Sequence, residues 1–368
     1  MSDAEIPLVE DAGDTLLELA DTVNARVLGD AAQTVDREDA IPPGVMQAVH
    51  QAGFFDLLSA AGSPEEYIQL STVLVNRIAR ASASMAMVVA SGHSAAIPLA
   101  VAADQPGRRC PPAGDRRQAL VDGGDGVVAA PEAGGGWSLQ GGVDIGIGVV
   151  GCDALVVITR DPGNGPVVVC VDPADALLES ARRTGLRGSG TASVRFAGIR
   201  VAPEAVLGRA EAADAARRHA VLTVAAVACG VAAAAVDQAG RYVSQRRQFG
   251  RPLATFAGLR AMVAAMVAQA DAAWSLTKAA ARQRHGGEHE AAMFATEAAL
   301  GVCLDALQLH GGYGYTVEYP VERLVRDALS LRARVGGARA HAKCIVDAVL
   351  PLQAGDHGIG RRRERRIK

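Results

Sequence analysis

Two short stretches carry residue types whose spacing could do chemistry. One is Gln308-Leu-His-Gly-Gly-Tyr-Gly-Tyr-Thr-Val-Glu-Tyr-Pro-Val-Glu-Arg-Leu-Val-Arg-Asp-Ala328. Its Gly311, Gly312 and Gly314 let the chain take positive φ and let another molecule approach without meeting a Cβ. Consecutive N–H groups at such a turn make a modest anion site, although a glycine cluster behind a helix is also an ordinary C-terminal cap. The other stretch is Arg246-Arg-Gln-Phe-Gly-Arg-Pro-Leu253. It sets a fixed cation beside an aromatic face, which suits a diphosphate next to a flat ring. The alternative there is a capping arginine and a buried phenylalanine.

Elements must be found that could position these residues. At 368 residues the chain suits two or three packed subdomains. In the N-terminal part, 15–23 and 45–52 place apolar side chains at helical spacing, with Pro42-Pro43 opening the second helix. A longer apolar segment, 65–90, reads as a helix buried on more than one side. His50 and His93 lie in or beside these helices and read as packed residues. Residues 104–125 have the composition of a linker. Short runs rich in Val and Ile follow at 126–130, 137–140, 154–159, 166–171 and 192–196, bounded by Gly, Pro or Asp. They predict an antiparallel barrel or sandwich of roughly 80 residues. Four helical segments, 212–245, 254–283, 288–309 and 338–350, then predict a bundle. The expected fold is mostly α with a β domain. Its parts are an N-terminal helical domain (1–122), a β domain (123–208), a C-terminal four-helix bundle (209–356) and a basic tail (357–368).

With 49% hydrophobic and 21% charged residues the chain reads as a soluble globular protein, and a formal charge of −3 gives no pull toward nucleic acid or anionic membrane. The opening residues show no signal peptide, and the alanine-rich stretch 220–239 has the composition of a buried helix rather than a membrane span. Cys110, Cys152, Cys170, Cys229, Cys303 and Cys344 are far apart with no C-x-x-C pair, as expected of reduced thiols in a cytoplasmic protein and not of a zinc site or disulfide frame.

On these residues the chain resembles the acyl-CoA dehydrogenase family over essentially its whole length. The shared patterns are the order of domains, the 246–253 loop, the 308–328 segment, and Gly185-Leu-Arg-Gly-Ser-Gly-Thr-Ala-Ser-Val-Arg-Phe-Ala-Gly-Ile-Arg-Val-Ala-Pro203 with Leu207-Gly208. The resemblance implies FAD as cofactor and α,β-dehydrogenation of an acyl-CoA thioester. A glutamate takes the α proton, and an electron-transfer flavoprotein is the redox partner. It also implies a tetramer in which one subunit contributes to FAD seated in its neighbour, here through Arg246, Gln248, Phe249, Gln308, Gly311 and Gly312.

The departures point to a particular role. The usual base position falls on Val335, and the alternative position on the preceding long helix falls near Ala220; neither is a carboxylate. His219 stays on the list as a weak candidate base. In the β domain the family's hydroxyl-rich flavin loop is replaced by residues 130–136, and its Trp-Ile-Thr segment by Asp144-Ile-Gly-Ile-Gly148. The motifs that serve a neighbour's FAD are kept, while those that seat flavin in the chain itself are thinned. The resulting expectation is a non-catalytic subunit of a heteromeric dehydrogenase, of the kind seen among actinobacterial enzymes acting on steroid side-chain thioesters. Two alternatives are a homo-oligomeric flavin enzyme with an unconventional base or oxygenase-type chemistry, and a flavin-free binding or scaffold protein. The ion pairs expected around Glu318, Glu322, Arg323, Arg326 and Asp327 are structural.

Overall fold

The structure is a computed structural model that describes residues 10–103, 117–132, 135–180, 182–283 and 286–350. Cys110, the basic tail, and Ala133 and Gly134 of the 130–136 loop lie outside the described residues.

The N-terminal helices are α1 (Glu10–Val23) and α2 (Gly29–Glu38), joined through a π turn at Asn24–Leu28, then α3 (Pro43–Gln51), α4 (Leu57–Ala60), α5 (Pro64–Ala79) and α6 (Ala83–Ala103). The apolar segment 65–90 is therefore two helices rather than one, broken at residues 80–82. Ser63 starts α5 by accepting from the Glu66 N–H at 3.1 Å, and the Glu66 carboxylate accepts in return from the Gly62 N–H at 2.7 Å. This reciprocal capping satisfies two orphan donors and fixes the helix start.

Eight strands form one sheet: β1 (Gln118–Asp122), β2 (Val127–Pro131), β3 (Trp137–Gly146), β4 (Ala154–Asp161), β5 (Gly165–Val171), β6 (Leu177–Ser180), β7 (Ala192–Val201) and β8 (Val206–Gly208). The order is β6-β7-β3-β2-β4-β5-β8, with β1 also paired to β4. The sheet is mixed rather than antiparallel throughout, because β1 and β2 both run parallel to β4. β1 falls in the stretch whose composition resembled a linker, and it is held by its register against β4 rather than by a hydrophobic run of its own. β4 is apolar on both faces for a simple reason. Leu155 and Val157 enter the core inside the sheet, while Val156 and Ile158 pack in a separate cluster with Ala95, Leu99, Ala213 and Ala216 of the helices.

The C-terminal region comprises α7 (Ala210–Gln245), a two-stranded hairpin of β9 (Arg247–Gln248) and β10 (Arg251–Pro252), α8 (Ala257–Arg282), α9 (Glu288–His310), α10 (Val321–Arg332) and α11 (Gly337–Val349). α10 had no place in the predicted bundle. α7 is the central rod, packed against α5, α6, α8, α9 and α10. Its alanines and Gly230 permit this crowding: a Cβ on Gly230 would collide with the Asn76 carbonyl of α5. Three helices (Ala83–Ala102, Ala210–Gln245 and Glu288–Tyr315) are long and apolar enough to cross a membrane, and the first two are mostly buried against the rest of the chain. Among the described residues no disulfide joins the cysteines.

Candidate functional site

The two sequence motifs meet. α7 ends at Gln245, and Arg246 N–H donates back to the Tyr242 carbonyl at 2.8 Å, so the hairpin leaves the helix in a fixed direction. The Arg246 guanidinium then sits 5.5 Å from the centroid of Tyr313, inside the glycine turn. Beneath it is an aromatic stack: Tyr242 lies on His310 at 4.2 Å, and Tyr319 packs edge-on to both. His310 Nδ1–H donates to the Ala306 carbonyl at 2.7 Å, and burial lowers the imidazole pKa, which favours the neutral ring.

Above this floor the surface is open. Gln248, Phe249, Gln308, Gly311 and Gly312 are exposed. Gly311 takes a φ of 58°, and a Cβ on either Gly311 or Gly312 would meet nothing within 4 Å, so the backbone here faces free space. Phe249 is 92% exposed and itself has a φ of 52°, an unfavourable left-handed conformation for an aromatic residue. Its ring packs edge-on to Phe256 at 6.3 Å, and Phe256 in turn lies under Arg251 at 4.1 Å. The alternative of a buried phenylalanine is excluded. Tyr315 and Val317, further along the glycine turn, are 81% and 72% exposed. A fixed cation, an exposed glycine backbone, an amide side chain and an aromatic face thus share one edge of the bundle. These are the groups that fit a diphosphate joined to a flat ring system such as FAD.

The candidate base positions are elsewhere. Ala220 lies on α7 and Val335 in the turn between α10 and α11. Val335 has φ 47° and ψ 40°, and Gly336 and Gly337 beside it also have positive φ. A β-branched residue in this region is a strained outlier, held by the turn around it. His219 is completely buried, and both its nitrogens are engaged. Its partner His93 must donate from Nε2 to the Phe54 carbonyl (2.6 Å), so His93 Nδ1 accepts from Ser71 (2.8 Å). The Ser71 hydroxyl then accepts from His219 Nε2 (3.0 Å), and His219 Nδ1 faces Ser94 (2.8 Å). Burial pushes His219 down to about 3 and His93 to about 4. His219 is a neutral member of an internal relay joining α5, α6 and α7, with no face turned to a substrate; this corrects its place as a candidate base.

The segment after the glycine turn is a clamp. Arg326 binds Glu322 at 2.8 Å and Asp36 of α2 through two bonds of 2.7 and 2.8 Å, and donates to the Thr184 carbonyl at 2.9 Å. Asp327 is buried and accepts from the Leu186 N–H at 2.6 Å. A Cβ at Gly185 would overlap the Arg326 carbonyl, which is why the chain can be only glycine there. The sequence pattern anticipated local pairing with Glu322 but not Asp36, because nothing local marks a partner so distant.

Residues 211–350 match the family model for the acyl-CoA dehydrogenase C-terminal domain. The chain is 39% identical over 166 residues to an acyl-CoA dehydrogenase of Bacillus subtilis (strain 168), an alignment covering 42% of this chain and 44% of that protein. It is 28% identical over 335 residues to the probable acyl-CoA dehydrogenase FadE25 of Mycobacterium tuberculosis (strain H37Rv), covering 81% and 85%. Among solved structures, butyryl-CoA dehydrogenase from Megasphaera elsdenii has a TM-score of 0.83 at 22% identity, covering 95% of this chain and all of that one. The Tcur3481-Tcur3483 steroid ACAD has a TM-score of 0.78 at 23% identity, covering 92% and 97%. These likenesses share the fold described above. Residues 211–350 thus carry the C-terminal domain of the acyl-CoA dehydrogenase family, whose members are FAD-dependent flavoprotein oxidoreductases, and the chain as a whole shares the fold of solved acyl-CoA dehydrogenases.

Proposed function

We propose that this chain is a subunit of an FAD-linked acyl-CoA dehydrogenase and acts by completing the FAD site of a homologous partner subunit. The observation that supports it is the convergence of Arg246 and the glycine turn on one open face, while Val335 and Ala220 stand where the resemblance expects a glutamate. Arg246 and Gln248 would hold the diphosphate, the exposed backbone of Gly311 and Gly312 with the Gln308 side chain would line its far side, and Phe249 would cover the adenosine. When bound, FAD supplies the hydride acceptor for α,β-dehydrogenation of an acyl-CoA thioester. The α proton must then be taken by a carboxylate of the partner, since valine and alanine cannot accept it and His219 is sealed in the core. The reading extends to a cytoplasmic heterotetramer reoxidised by an electron-transfer flavoprotein, working in fatty acid or steroid degradation. The likeness to the Tcur3481-Tcur3483 steroid ACAD, a name joining two designations, favours a heteromeric form.

The test is the flavin absorbance and mass of the chain purified alone and after co-expression with a homologous subunit that carries the glutamate. FAD and dehydrogenase activity confined to the mixed complex support the reading. A yellow, active homotetramer with one FAD per chain sinks it.

A further inference from the structure

The turn after α2, helix α3 and the loop from β3 to β4 enclose a cleft of about 400 Å³, a volume typical of small-molecule sites. None of the residues lining it belongs to the 246–253 loop or the 308–328 segment. Its walls are held by hydrogen bonds. Asp39 has a φ of 54°, and its carboxylate accepts from the Gly188 N–H at 2.6 Å, which ties the turn after α2 to the 182–191 loop. The Val150 N–H donates to the Gly190 carbonyl at 3.0 Å and the Asp153 N–H to the Arg117 carbonyl at 2.7 Å, so the β3–β4 loop is anchored at two points.

Inside this frame Arg117 is a cation without an acid. Its Nη2 donates to the Val150 carbonyl at 2.7 Å, and its Nη1 faces the Met46 sulfur at 4.0 Å, a poor acceptor. The Asp153 carboxylate accepts from the Arg117 backbone N–H at 2.8 Å, and no carboxylate pairs with the guanidinium among the described residues. Gly151 leaves room for that guanidinium, because a Cβ there would come within 2.6 Å of Nη2. His50 of α3 lines the same cleft and packs against Phe55, with ring centroids 4.6 Å apart. No hydrogen bond engages its ring nitrogens among the described residues. Burial and the Arg117 charge lower its pKa against the pull of Asp153, so the ring is neutral and keeps one N–H to donate. Ile41, Met46, Val88 and Val150 supply apolar lining. Two carboxylates, Asp39 and Asp153, also border the space and oppose a second negative charge on whatever enters it.

We propose that this cleft binds a small organic monocarboxylate, its carboxylate held by Arg117 Nη1 and the His50 N–H and its short hydrocarbon body set against Ile41, Met46 and Val88. One unpaired guanidinium answers one carboxylate, and the apolar lining rewards a hydrocarbon rather than a polar body. The cleft lies within one chain and is independent of the partner-subunit reading.

The experiment is isothermal titration calorimetry of the full chain, in whatever oligomer it purifies, with 3-methylbutanoate at neutral pH and matched ionic strength. The acid is expected to bind saturably at one per chain, while the uncharged 3-methylbutanamide, 3-methylbutylamine and sodium chloride give no saturable heat. Arg117→Met is expected to weaken binding about 10- to 100-fold, and His50→Phe about 3- to 10-fold. Leucine bound as tightly as 3-methylbutanoate identifies the acid as an amino acid, its ammonium taken by an aspartate of the lining; leucine bound more weakly identifies a simple carboxylic acid. Succinate bound more tightly than 3-methylbutanoate overturns the monocarboxylate assignment. A wild-type chain that takes up the acid no better than the amide overturns the proposal whether or not the variants fold. So does a folded Arg117→Met chain that binds the acid as wild type does.

Discussion

The guanidinium of Arg246 lies over the ring of Tyr313, 5.5 Å from its centroid, and so ties the hairpin after α7 to the glycine turn after α9. Arg246→Met is expected to weaken FAD binding by the co-expressed complex about 10- to 100-fold, the usual range for a lost charge-assisted contact. Tyr313→Leu should cost less, since it leaves the charge and removes only its orientation. Flavin fluorescence titration of the apo complex measures both.

Phe249 makes a different case, because its ring has almost nothing to lose within the chain. Phe249→Ala should leave the unfolding midpoint of the isolated chain within about 0.5 kcal/mol of wild type, as exposed sites do, while lowering FAD retention in the complex. Comparable losses of stability and FAD would mean that the ring serves packing alone.

Relief of strain should be visible at Val335. Left-handed backbone costs a non-glycine residue about 1–2 kcal/mol, and glycine returns some of that as unfolded-chain entropy. Val335→Gly is therefore expected to stabilise the chain by about 1 kcal/mol, raising the midpoint by about 2 °C in a calorimetric scan.

Acid should destabilise the fold through the internal relay. His93 and His219 titrate at about 4 and about 3 in the folded chain, below their ordinary value of 6.5. The unfolded chain therefore takes up protons first, and the stability that these two rings contribute at neutral pH drains away as pH falls from 6.5 toward 3. Asp327 works the other way. Burial raises it to about 6, so protonation between about pH 6 and 4 favours the folded state. Two histidines with larger displacements outweigh one aspartate, and the net slope below pH 6 is a loss. Asp327→Asn should make that loss steeper in midpoints measured from pH 8 to 5, and His219→Gln should make it shallower.

Two glycines are predicted to be intolerant for the same steric reason. Gly230→Ala drives a Cβ into the Asn76 carbonyl where α7 crosses α5, and Gly185→Ala drives one into the Arg326 carbonyl. Each opposing atom is backbone, which cannot rotate away, so losses of about 2–4 kcal/mol are expected in chemical denaturation.

The helical regions and five of the strands were legible because their apolar periodicity is local. The break after α5 was not, since Arg80, Ala81 and Ser82 carry neither proline nor glycine to announce it. β1, β6 and β8 are short, and β1 is defined by its partner β4 rather than by its own composition. At the site, residue type singled out Arg246 and the glycine turn, and the fold puts Arg246 over Tyr313 of that turn. The isolation of His219 could not be read, because the serines that occupy its nitrogens come from α5 and α6, far back in the chain.

Arg326 grips Asp36 across a separation of 290 residues. During synthesis the first helices leave the ribosome long before the arginine that anchors them has been made, and local contacts alone must carry them through that interval. A truncated nascent chain should accordingly remain open to protease between α2 and α3 until α10 has emerged, and then close in a single step.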